Sequence, residues 1–156
     1  MRFNLVLLGF IVLFASCETG SNTVTPEKPK TKEEILSSDR WRITVYTSVY
    51  TDSGETKTVN HFHDSGLCWK DNYLLFHPNG LLSLDEGPTR CNIDDPQIVE
   101  LGTWELVNND AQIRFEGDST VTADVLTLTD SLFSIRYYEV VKGHLSVSNK
   151  SYMHLK

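Results

Sequence analysis

No apolar run in this 156-residue chain is long enough to cross a bilayer as a helix. The longest, "FNLVLLGFIVLF" at 3–14, is about a dozen residues, where spanning takes roughly 20 at 1.5 Å rise each. Positive charge is also scarce. There are 14 Lys and Arg against 21 Asp and Glu, for a net charge of -7, and the cations are scattered. Phosphate backbones demand a concentrated basic patch, so nucleic acid is not expected as a partner. Catalytic spellings are missing too: no G-x-S-x-G elbow, no H-E-x-x-H, no phosphate-cradling glycine loop and no dinucleotide fingerprint. Ser, His and Asp all occur, but a triad is defined by geometry. The expectation is a protein that is not an enzyme and carries no cofactor.

What is present begins at the N-terminus. Arg2, the apolar run, and then the small residues Ala15 and Ser16 form a signal-peptide layout. The stretch "FASC" at 14–17 resembles the lipobox of bacterial lipoproteins, with Phe14 where that family usually carries an aliphatic residue. There, small residues precede a cysteine that is lipidated and becomes the new N-terminus. The resemblance implies that 1–16 is a lipoprotein signal peptide, that Cys17 is acylated, and that the protein sits in the cell envelope, on the outer membrane. Residues 18–32, "ETGSNTVTPEKPKTK", hold two prolines and four threonines and no leucine or aromatic residue. Such a segment buries too little to order itself, so 17–34 reads as a tether. If Cys17 carries lipid, Cys68 and Cys91 are left as a pair in a compartment that permits disulfides. Closing a loop of about 23 residues stabilises by roughly 3 kcal/mol. Two free buried thiols are the alternative.

A short helix is expected at "TKEEILSS", with Thr31 as N-cap and Glu34 three residues on. From Trp41 the pattern has period two. In "WRITVYTSVY" the alternation puts Trp41, Ile43, Val45, Thr47 and Val49 on one side and Arg42, Thr44, Tyr46, Ser48 and Tyr50 on the other. "DSGE" at 52–55 is a turn signal, and "TKTVNHF" returns antiparallel. "NYLLFHPNGLLSLDEG" is a hairpin: Pro78 presets a type I turn, Asn79 follows, and Gly80 takes the left-handed position. Strands are expected at 99–107, 111–116, 121–129, 132–141 and 145–155, joined by connections too short for anything but antiparallel neighbours. Eight or nine strands with hardly any helix must hide their edges, and hairpin after hairpin favours an all-β, antiparallel up-and-down barrel over 35–156.

The order of features resembles the lipocalin-like domains of Gram-negative lipoproteins. The matching run is "ILSSDRWRIT" at 35–44, Cys68, "DNYLLFHPNG" at 71–80, "DEGPTRC" ending at Cys91, and "GTWEL" at 102–106. It covers most of 35–155 and implies a calycin-type barrel with a Cys68–Cys91 disulfide. The first strand has Ser-Asp-Arg-Trp where lipocalins carry G-x-W. Trp41 is expected either to plug one barrel end, stacked under an arginine such as Arg136, or simply to fill core with Trp104.

A barrel of eight strands is just wide enough to be filled by side chains or to hold one small ligand. Tyr46, Tyr73, Trp104 and Tyr138 are the candidate ligand-binding residues, and the abundance of large side chains favours a filled interior. The function expected first is therefore contact with an envelope partner through the loops at 64–72 and 85–99. Carriage or sensing of a small apolar ligand in the interior is the alternative. "HFHD" at 61–64 is the most metal-like stretch, since His61 and His63 share a face if it is a strand. Two ligands fall short of zinc's usual three or four, and Asp85-Glu86 and Asp94-Asp95 lack the spacing of a calcium loop. No metal is expected.

Overall fold

The computed structural model describes residues 28–154. The lipobox, Cys17 and most of the proposed tether lie outside that range. Among the described residues no helix is long and apolar enough to cross a membrane.

Thr31 caps the first helix, α1 (Lys32–Leu36), as its spacing to Glu34 requires: the hydroxyl accepts from the Glu34 N–H and the Glu34 carboxylate accepts from the Thr31 N–H. α1 begins inside the span read as tether, and Lys30 and Lys32 already reach Asp130 and the Asp110 carbonyl. The folded unit thus begins before residue 35. Next come β1 (Arg40–Asp52), β2 (Glu55–Asn60), two helical turns α2 (His61–Asp64) and α3 (Leu67–Lys70), and β3 (Tyr73–Phe76). Then follow β4 (Leu81–Asp85), β5 (Ile98–Val107), β6 (Gln112–Glu116), β7 (Thr120–Leu128), β8 (Leu132–Val141) and β9 (His144–His154). The β3–β4 turn is built as its residues dictate. Gly80 has φ +84°, its N–H donates to the His77 carbonyl, and the His77 N–H donates to the Leu81 carbonyl.

Every strand pairing is antiparallel. β1 is long enough to serve three neighbours: its start pairs with β3, its end with β2, and its other edge with β9. The last pairing closes an eight-stranded barrel of β1 and β3–β9, with β2 as an extra strand.

One end of the barrel is solid. Trp41 is fully buried, donates its indole N–H to the Leu36 carbonyl at 2.8 Å, and meets the Phe133 ring edge-on at 6.0 Å. Phe133 stacks on Tyr152 and takes Phe76 edge-on, which in turn meets Trp104. Leu36 and Ile113 complete this floor. Trp41 thus closes the end by packing under α1. Arg136 points outward and bonds Asn149 instead, so the expected stack does not form.

The alternation read along β1 holds only to Ile43. The register with β9 slips between Ile43 and Val45, and a bulge of this kind moves every later side chain to the opposite face. Val45 is therefore 40% exposed while Ser48 and Tyr50 are buried. A second bulge lies on β5, where Leu82 faces Gly102 but Ser83 faces Glu100. Gly102 has φ +122°, and a Cβ built there would collide with the Glu116 carbonyl oxygen.

Candidate pocket and its polar cluster

Above the floor the interior is hollow, not filled. A cavity of about 370 Å³ is walled by Leu74, Leu82, Phe115, Val121, Ile135 and other side chains of the inner face. A smaller one, about 130 Å³, lies beside Trp41, Trp69 and Leu84, and the two share Leu74, Lys150 and Tyr152. The larger volume falls within the range of small-molecule sites. It extends toward Glu139, near the end of β8, and toward Phe115 and Val121 beside the β6–β7 turn. This is the end away from the floor, where the β2–β3 and β4–β5 connections also lie.

The bulge in β1 and the registers of β8 and β9 bring polar side chains into that wall. Ser48 faces Ser148, Tyr46 faces Lys150, Tyr137 faces Ser148, and Glu139 faces Ser146. The Glu139 carboxylate accepts from the hydroxyls of Tyr46 (3.1 Å), Ser48 (3.0 Å) and Ser148. Burial pushes this carboxyl up, but the donors from Ser148, Ser48 and Tyr46 and the charge of Lys150 outweigh it, so the net shift is below the ordinary 4.5. Lys150 extends over the rings of Tyr46 (4.3 Å to the centroid) and Tyr137 (5.2 Å). Burial lowers the pKa of its ammonium, with the Glu139 charge opposing. Burial raises the phenols of Tyr46, Tyr137 and Tyr152, which keeps them protonated.

Because the folded pKa of Glu139 is depressed, the stability it contributes is present above 4.5 and is lost as pH falls through the folded value. The urea midpoint should therefore drop as pH falls below 4.5 more steeply for the wild type than for Glu139→Gln. Parallel curves would refute this account of the carboxylate.

Of the four candidate ligand residues, the structure places Tyr46 in the cavity wall. Tyr73 lies on the outer face of β3 but is buried there, with the Arg40 guanidinium 4.4 Å above its ring. Trp104 is in the floor, its indole N–H donating to the His77 carbonyl. Tyr138 is 66% exposed, and its neighbour Tyr137 holds the inward position. The outward turn of Tyr138 follows from strand parity, because Phe133 and Ile135 fix the inner face of β8.

His61 and His63 are not on a strand. They sit on α2, capped by Asn60, so one imidazole turns in and the other out. His61 stacks on Tyr46 with centroids 4.3 Å apart, its Nε2 lying 2.7 Å from Ser48 Oγ. His63 pairs with Asp64 in solvent. Among the described residues no three metal-ligating side chains converge. Ser48, His61 and Glu139 do meet, but the carboxylate contacts the serine hydroxyl rather than orienting the imidazole, which is not the order of a hydrolytic triad.

Cys68 on α3 and Cys91 after β4 come together at disulfide distance, with Cα atoms 5.1 Å apart. The bond joins the two connections at the open end. Trp69, next to Cys68, lines the smaller cavity and stacks toward Tyr46 at 6.1 Å. The segment 61–72 is thus a roof over one side of the pocket, pinned from the loop at 86–97. No protein-family model and no curated protein matches the chain in comparisons with known proteins.

Proposed function

We propose that this barrel binds a small amphipathic molecule in its interior, without catalysis. The observation that carries the reading is the cavity of about 370 Å³ with apolar walls and a few converging polar groups. At roughly 30 Å³ per heavy atom, taking liquid water as the yardstick, it accommodates about a dozen heavy atoms. Burial of apolar surface, about 25 cal/mol per Å², supplies the affinity. The setting that fits it is the cell envelope of a Gram-negative bacterium, with Cys17 acylated. That placement is supported by the lipobox-like "FASC" and the proline- and threonine-rich segment after it.

Filling the cavity tests the reading. Val121→Trp places an indole in the cavity wall beside Phe115, its partner across β6 and β7. It should weaken binding of octan-1-ol at least about tenfold by calorimetry, in line with the apolar area displaced. It should also remove any small molecule that co-purifies in native mass spectra. Equal binding by variant and wild type would sink the proposal. The other reading, docking of an envelope partner on the roof loops, is favoured by Leu67 and Ile93, exposed at 80% and 75% on the two connections that the disulfide joins. The same variant separates the two, because a partner held on the loops is insensitive to a filled interior.

A further inference from the structure

We infer that the ligand enters with an acidic head, a carboxylate on a short aliphatic or aromatic body, and that Lys150 binds that head. The inference rests on the proposed ligand-binding role of the cavity and names what the cavity selects.

The two charged groups in the wall are not equivalent. Glu139 is already served: Oε1 accepts from Tyr46, Ser48 and Ser148, and Oε2 accepts from Tyr46. Lys150 lines both cavities and lies on two aromatic faces, and its ammonium makes no hydrogen bond or ion pair among the described residues. Glu139 acts on it as a charge, not as a hydrogen-bonding partner. An ammonium has three donors and no acceptor. With no hydrogen-bonding partner for those donors among the described side chains, a ligand with lone pairs and negative charge gains most beside it. A second amine would add a like charge, and an alcohol head offers only a neutral acceptor.

The surroundings match such a head in size and placement. Leu74 and Tyr152 flank Lys150 in both cavities, so the ammonium stands where the two volumes meet. Leu82, Phe115, Val121 and Ile135 provide the apolar wall for the body. The Lys150 Nζ lies over the faces of Tyr46 and Tyr137, which hold the ammonium at the cavity wall beside the space the head would fill.

Titration of the intact protein with octanoate, octan-1-ol and octylamine, followed by calorimetry, tests the assignment. Octanoate should bind at least about tenfold tighter than octan-1-ol, the size expected of a hydrogen bond to a charged group, with octylamine weakest. In Lys150→Met the ratio of octanoate to octan-1-ol affinity should fall to about one. The wild-type preference order is informative whether or not the variant folds, and Lys150→Gln is a second probe of the same position. Equal binding of acid and alcohol, a preference for the amine, or a preference that survives in a folded Lys150 variant overturns the head assignment and leaves the pocket reading intact. Failure of all three probes to bind overturns the pocket reading, and this inference with it.

Discussion

Trp41→Ala should lower the unfolding free energy by about 3–5 kcal/mol, the range for emptying a buried tryptophan site. The reason lies in how few neighbours can move to fill the gap. Trp41 is fully buried between α1 and the Phe133 and His154 rings, and its indole is the donor for the Leu36 carbonyl. Removing it empties the floor and leaves that carbonyl without its partner. Trp41→Phe keeps much of the volume and loses the hydrogen bond, so it isolates a cost of about 1–2 kcal/mol for the polar contact. Urea unfolding of both variants checks the pair. A loss below about 1 kcal/mol for the alanine variant would mean that the floor does not hold the barrel.

The second large effect is expected at Gly102. With φ +122° the position disfavours any side chain, and a Cβ would also strike the Glu116 carbonyl of the adjoining strand. Backbone strain and overpacking act together, and Gly102→Ala should cost on the order of 3 kcal/mol. Gly54→Ala is the internal control, since that glycine has φ +84° but nothing within 4 Å of a built Cβ. The difference between the two isolates the collision. Equal midpoints in urea would show that the β5 bulge gives way without penalty.

The barrel was legible because its turns carry their own chemistry. Pro78-Asn79-Gly80, the period-two runs and the short connections permit little but consecutive antiparallel pairing, and the cysteines flank the hairpin in an order that brings them together. The pocket was not legible, for two physical reasons. The bulge after Ile43 reverses the faces of β1, so Val45 and Val49 point outward while Tyr46 and Ser48 point in. In β9 the more apolar parity, Leu145, Val147 and Met153, faces out, and the inward parity is Ser146, Ser148, Lys150 and Tyr152. Hydrophobic alternation assigns the faces the other way round. Only the pairing of Tyr152 with Phe133 and Ile43 fixes the inner face, and that is a property of the closed barrel, not of any one strand. A lysine on a strand otherwise rich in serine carries no local signal of being inside.

α1 has a consequence for how the molecule is presented. The described chain starts beside Asp130 and Asp110, in the turns that ring the floor. It therefore enters at the pole opposite the entrance. A label or a resin joined at Lys28, exposed where the described chain begins, is therefore joined at the solid end and leaves the rim of the cup clear.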